Sequence, residues 1–247
     1  MSDVTAAQVQ SALAAVADPA DAVHLQRFFK TGPGEYGEGD VFIGVRVPAT
    51  RAVAKRFAEL PLGQIAELLD SEVHEHRLAG LVILNARFAK AAKASDTAAQ
   101  QEMVWWYLDA VRRGRVNNWD LVDASAEHIV GPWLLDRPRD LLFELAAGES
   151  VWERRVAVLS TFAFIKAGDP STTLALCEEL SGDRTDLIQK AVGWMLREVG
   201  KRVDRSVLLA FLDTHAAALG RTALSYATEH LDPAVRASYR AMRKPPE

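Results

Sequence analysis

The densest group of side chains able to act together in this sequence is Asn118-Trp119-Asp120-Leu121-Val122-Asp123. Asn118 suits a helix N-cap, and Asp120 suits the first turn, where a carboxylate meets the positive end of the helix dipole. Trp119 and Asp123 are four residues apart, so on a helix they share a face. An aromatic surface beside a carboxylate can hold a cation and stabilise developing positive charge. The same spacing also fits a core tryptophan beside a carboxylate paired with an arginine, and the residues alone leave both readings open. A second group is Gln189-Lys190-Ala191-Val192-Gly193-Trp194-Met195-Leu196-Arg197-Glu198. Here Trp194 shares a face with Lys190 and Arg197, an unusual setting for a purely structural tryptophan. A third is Trp152-Glu153-Arg154-Arg155-Val156-Ala157, with Arg155 in phase with Lys190.

The elements that must position these residues read as helices almost throughout. Apolar residues recur at three- and four-residue spacing, and strand-like alternation is nearly absent. The pattern predicts helices near 5–17, 20–30, 49–59, 62–70, 73–92, 97–113, 119–135, 138–147, 151–167, 171–181, 185–201, 205–218, 221–230 and 233–243. Pro48, Pro61, Gly114, Pro138, Gly148, Gly168-Asp169-Pro170, Gly182 and Gly220 punctuate them. Residues 31–46, rich in glycine, break the pattern as a loop, either a surface connection or a segment lying along a ligand. Segments beginning at Arg77, Arg155 and Lys190 align by residue type, and 118–123 fills the gap between the first two. A period of about 35–42 residues built from helix pairs predicts an all-α fold, a HEAT-like repeat superhelix forming a single domain over 1–247 with a short tail about 244–247. The repeated helices would collect Arg77, Arg154, Arg155, Lys190, Arg197 and Lys201 on one concave basic face. Arg112, Arg113 and Arg115 would lie just before the Trp119 segment, and acids such as Glu67, Asp70, Glu72, Glu178 and Glu179 elsewhere. The alternative is that these cations are only the solvated sides of amphipathic helices.

With 49% hydrophobic and 25% charged residues, the chain has the make-up of a globular protein with a sizeable core. Its net charge of −4 runs against nucleic-acid binding unless cations gather on one face. The apolar runs are too short for a transmembrane helix, and Met1-Ser2-Asp3 does not open a secretory signal. One cysteine, Cys177, cannot form an internal disulfide and sits among leucines as a core residue. A cytoplasmic protein is expected. His74 and His76 are two apart and face different ways on a helix, so no metal site is expected. The glycines at 32–44 lack the Lys-Ser/Thr of a nucleotide-binding loop.

Together, Asn118 to Asp123, Trp152 to Ala157, Gln189 to Glu198 and the loop ending Phe42-Ile43-Gly44-Val45-Arg46-Val47-Pro48 resemble the DNA alkylation repair (AlkD-like) glycosylases. The resemblance runs from about 20 to 230, with the motifs in order and at matching separations. It implies a helical-repeat enzyme that wraps duplex DNA and removes N3- and N7-alkylated purines, leaving an abasic site. It implies Asp123 as the catalytic carboxylate, Trp119 and Trp194 as lesion-facing aromatics, and Arg155 as a backbone contact. Phe28 matches an aromatic that is tyrosine in some relatives, so a hydroxyl is missing there. Arg77, Arg154, Lys190 and Arg197 complete the expected DNA-binding set. The implied partner is alkylated double-stranded DNA, with no membrane, no obligate protein partner, no metal and no cofactor. Two other readings remain: a non-catalytic nucleic-acid-binding relative, which would be expected to lose Asp123 or a tryptophan, and a protein scaffold, which would present an apolar or acidic face instead of a basic one.

Overall fold

The computed structural model describes residues 4–242. The expected tail at 244–247 lies outside the described residues, as does Met1-Ser2-Asp3. Among the described residues the regular structure is helical, apart from one isolated parallel bridge between Val41 and Val73. The fold is all-α, built from packed helix pairs, and the chain divides into two compact units, Met1–Ile129 and Val130–Glu247.

The first unit contains α1 (Ala6–Ala14), α2 (Pro19–Phe28), α3 (Val47–Arg56), α4 (Leu62–Leu69), α5 (His74–Lys93), α6 (Thr97–Arg112) and α7 (Trp119–Asp123). Its organising element is α5, which packs against α3, α4 and α6. Leu78, Leu81, Ile83, Leu84 and Phe88 on this helix are almost completely buried. Removing such side chains from water contributes roughly 1.5–3 kcal/mol each. Local signals set the helix starts. Asp18 accepts a hydrogen bond from Ala20 N with Pro19 in the first turn, and Asp96 accepts from Ala99 N. Helix α8 (Ala126–Trp133) carries the chain across the division between units.

The second unit contains α9 (Asp140–Ala146), α10 (Val151–Ser160), α11 (Phe162–Lys166), α12 (Ser171–Glu179), a 3₁₀ turn at Leu180–Gly182, α13 (Asp186–Arg202), α14 (Arg205–His215), α15 (Arg221–Ala227) and α16 (Pro233–Ala241). Here α13 is central and packs on α10, α14 and α15. Gly193 permits its close approach to α15, because a Cβ there would collide with Ala223 O and Tyr226 Cβ. Cys177 is buried, and burial pushes its thiol pKa up, as befits an inert core residue.

Two expected helices are each interrupted. The segment 119–135 breaks between α7 and α8 at Ser125. Its hydroxyl turns back to Leu121 O at 2.6 Å and also reaches the Tyr107 hydroxyl at 3.1 Å. The segment 151–167 breaks at Thr161, whose hydroxyl donates to Val158 O at 2.7 Å. Short hydroxyl side chains that bond the preceding turn compete with the helical ladder. Apolar periodicity runs through both breaks and so conceals them.

Candidate active site

Helix α7 has only five residues, too few to persist without tertiary support. It is held at both ends. At its start, Asn118 caps Trp119 N at 2.9 Å and Asp120 Oδ2 lies 2.8 Å from His74 Nε2. At its end, Asn85 Nδ2 donates to Ala124 O at 2.7 Å. Trp119 and Asp123, one turn apart, are both partly exposed. The Trp119 indole stacks on Phe29, with centroids 5.2 Å apart and planes at 19°, and meets Phe28 edge-on at 6.0 Å. Phe28 is 56% exposed at the last position of α2. The structure therefore gathers Phe28, Trp119 and Asp123 in the first unit. Burial pushes the Tyr107 hydroxyl pKa up; the Ser125 hydrogen bond opposes this, and the charge of Asp123 adds to it. The negative potential of Asp123 is therefore felt at the buried phenol beneath it.

Behind α7 lies a polar cluster whose centre is closed off from water. His74, 1% exposed, sits between two carboxylates: Asp120 from its Nε2, and Asp40 Oδ2 at 3.1 Å from its Nδ1. Asp40 also accepts from Arg77 Nη2 at 2.6 Å, Asn117 Nδ2 at 3.1 Å and Asn118 Nδ2 at 3.4 Å. Burial pulls the imidazole pKa down. The charge and hydrogen bond of Asp120, with the hydrogen bond to Asp40, outweigh that and the opposing Arg77, lifting it to about 9. Burial likewise pushes Asp40 up, yet its bonds to His74 and the charge of Arg77 leave it below the usual carboxylate range. An imidazolium flanked by two carboxylates is thus the stable state. Phe42 stacks on the ring at 4.4 Å and Phe29 lies 5.1 Å away, which joins this cluster to the Trp119 stack.

The glycine-rich segment 31–46 is anchored to the same place. Buried Glu75 accepts hydrogen bonds from Ile43 N at 3.1 Å, Gly44 N at 2.8 Å and Val45 N at 3.1 Å. Gly44 has φ +84, and a Cβ there would collide with Asp18 O, so only glycine fits. Far from being a free surface connection, the segment runs through Asp40 and Phe42 into the packing behind Trp119.

Arg77, expected to face a phosphate, instead is 2% exposed. It binds Asp40 and donates to Ser71 O at 2.8 Å and Glu72 O at 3.1 Å. The 31–46 segment, through Asp40, covers the side of α5 on which it stands. Arg113 also departs from the expected separation of charge: it meets Asp70 at 2.5 Å, and Arg115 approaches the same carboxylate at 3.6 Å.

In the second unit, Trp194 is half-buried on α13 with its ring 6.0 Å from Phe162. Arg155 is 4% exposed and donates to Leu187 O at 2.5 Å. An arginine buried in this way fastens α10 to α13, so its expectation as an open phosphate contact is corrected. Arg154 bonds Asp183 at 3.0 Å and the carbonyls of Gly148 and Glu149. Lys190 pairs with Asp186 at 2.7 Å one turn away, with both side chains well exposed. Arg197 is held by Glu229 and Glu198.

A sequence profile described as DNA alkylation repair enzyme matches residues 9–231, nearly the whole chain. The chain belongs to the DNA alkylation repair enzyme family. No curated protein sequence matches it significantly. Among solved structures, it is similar to a predicted DNA alkylation repair enzyme from Enterococcus faecalis, at 18% identity and a TM-score of 0.65. That match covers 88% of this chain and 97% of the other. The likeness establishes a shared fold, and family membership places the protein in DNA repair.

Sequence reasoning missed the residues that hold the repair enzyme's α7 in place: Asp40, His74, Glu75, Asn85 and Asn117. One signal was present. His74-Glu75-His76-Arg77 opens a helix that is otherwise strongly apolar on its buried sides, and four consecutive polar residues there need partners if buried. Their partners lie dozens of positions away, so spacing alone does not pair them.

Proposed function

We propose that the protein is a monofunctional DNA glycosylase that excises cationic N3- and N7-alkylated purines from duplex DNA, its two units acting as one enzyme. The observation that carries this reading is the clamped, partly exposed Trp119–Asp123 face of α7 in a member of an alkylation repair family.

The chemistry follows from the charge of the substrate. A purine alkylated at N3 or N7 leaves as a neutral base when its bond to C1′ breaks, so no general acid is needed. The sugar becomes oxocarbenium-like, and a nearby carboxylate stabilises it. Asp123 fills that role and orients the water whose oxygen adds to C1′, taking up its proton. The Trp119 indole attracts the cationic base or sugar, and the Trp194 indole of the second unit offers its own face to a cation. Such contacts contribute about 0.5–2 kcal/mol each. Lys190, paired with Asp186 on the surface of α13, contacts the phosphate backbone, whereas Arg154 and Arg197 are neutralised by their own acids and hold the unit together. The enzyme needs no metal, cofactor or protein partner and works in the cytoplasm, where its single thiol stays reduced.

The test is release of 7-methylguanine and 3-methyladenine from methylated duplex DNA by the wild type and by Asp123→Asn, scored together with duplex binding. Release by the wild type and its loss in the variant, with binding retained, support the assignment. A wild type that binds duplex but releases no base identifies the chain as a non-catalytic binding protein.

A further inference from the structure

We infer that Arg221 and Arg240, at the α15–α16 end of the second unit, form a phosphodiester-binding pocket for the DNA duplex. This deepens the glycosylase reading and rests on it. Arg221, Leu224, Ser225 and Arg240 line a depression of about 360 Å³. Arg221, Leu224 and Ser225 lie on one side of α15, at spacings of three and four residues. The Arg240 guanidinium comes from α16 and reaches Ser225 Oγ at 3.4 Å.

At this end, among the described residues, the acids are paired and three arginines are not. Residues 220–242 contain two acids, Glu229 and Asp232, and both are drawn off by earlier helices. Glu229 pairs with Arg197 of α13, and Asp232 pairs with Arg205 of α14 at 2.8 Å. Asp213 of α14, the next acid to approach α16, accepts from the Tyr239 hydroxyl at 2.8 Å. Among the described residues, Arg221, Arg236 and Arg240 have no ion-pair partner. Arg236, one turn before Arg240, also leaves its Nε buried and unbonded. Most arginines that the sequence pattern singles out are neutralised within their own unit; these three keep their charge in a chain whose net charge is −4.

The placement fits a nucleic-acid ligand. Helix α15 is the one that Gly193 brings tightly against α13, the helix carrying Trp194 and Lys190. Gly220, immediately before Arg221, abuts the Gln189 side chain, where a Cβ would collide. The start of α15 at Arg221 therefore lies close to Gln189, the neighbour of Lys190 on α13. A guanidinium pair beside a hydroxyl, with no acid in the lining among the described residues, offers several donors to one phosphate oxygen cluster. Arginine's forked donors suit that geometry. Base edges are not what such a pocket reads, so the contact is independent of sequence and of damage.

The experiment is fluorescence anisotropy with an unmethylated duplex across a salt series, using the wild type, the double variant Arg221→Ala/Arg240→Ala and a control, Lys90→Ala. Lys90 is exposed and paired with Glu59 in the first unit. Each phosphate contact contributes about 0.9 to the slope of log affinity against log salt. The double variant should bind on the order of tenfold more weakly at moderate salt, with a slope shallower by about one to two. The control should keep both the wild-type affinity and slope. Circular dichroism melting guards against misfolding, and Arg221→Lys/Arg240→Lys should restore most of the slope. Wild-type affinity and slope in the alanine double variant overturn this pocket while leaving the glycosylase reading intact. A wild type that binds no duplex overturns both.

Discussion

Two charged clusters, one in each unit, are used in opposite ways. Behind α7, His74, Asp40 and Arg77 are sealed from solvent and, with the half-buried Asp120, compensate one another. At the α15–α16 end, Arg221 and Arg240 face solvent without a counter-ion. A buried, matched charge fixes geometry, because breaking it strands its partner in a low-dielectric interior. An exposed, unmatched charge is held ready for an outside anion. The contrast teaches that counting cations on a helix says little about ligand binding until the local acids have been assigned.

The contrast is broken most directly at Asp40. Asp40→Ala leaves the His74 imidazolium and the Arg77 guanidinium without their shared carboxylate. The expected loss is about 3–5 kcal/mol in urea unfolding. A loss below about 1 kcal/mol would show that water or a shifted side chain replaces Asp40, and that the cluster does not hold the fold. Asp123→Asn should do the reverse. It should leave urea stability close to wild type while lowering excision of 7-methylguanine by about 100- to 1000-fold, the scale of a lost electrostatic group at a reacting centre. Undiminished excision removes Asp123 from the chemistry.

Protonation sharpens the same contrast. The folded-state pKa of His74 is raised from 6.5 to about 9. Its contribution is therefore fully present below pH 6.5, declines as pH rises, and is gone above about pH 9. Across that window unfolding free energy should fall by up to about 1.4 kcal/mol per pH unit. Asp40, with its lowered pKa, acts at the other end: its contribution is present above the ordinary carboxylate range and lost as pH falls below it. Urea curves at pH 6, 7.5 and 9 for the wild type and His74→Gln separate the effects, and an equal alkaline decline in both proteins would refute a charged His74. The smallest effect belongs to Lys190→Ala. The salt slope of duplex binding by this variant should drop by about one. An unchanged slope returns Lys190 to the role of a solvated surface lysine.

Much of α7 was legible in the sequence. Asn118 caps it, Asp120 occupies its first turn, and the four-residue offset of Trp119 and Asp123 gives a shared face, because all three rules act within one turn of chain. The cations were harder. Periodicity tells on which side of its own helix Arg77 or Arg155 stands, but not what the rest of the chain lays over that side. For Arg77 it is the segment around Asp40; for Arg155 it is the α13 residue Leu187. The helix breaks at Ser125 and Thr161 were hidden for a related reason. Each depends on a hydroxyl choosing a backbone carbonyl, and hydrophobic spacing carries no trace of that choice.

Glu75 gathers three consecutive amides of the 31–46 segment, and this divides the segment into parts with unequal tolerance. Near Gly44 neither length nor residue type can change without pulling on the neighbourhood of Trp119. At the apex, where Pro33, Gly34 and Glu35 are exposed, extra residues would break only exposed hydrogen bonds, such as those from Gly32 N to Glu35 and from Gly34 N to Glu38, besides adding loop entropy. A protein engineer wishing to graft a sequence beside the aromatic stack therefore has a natural insertion point, already moored at its base.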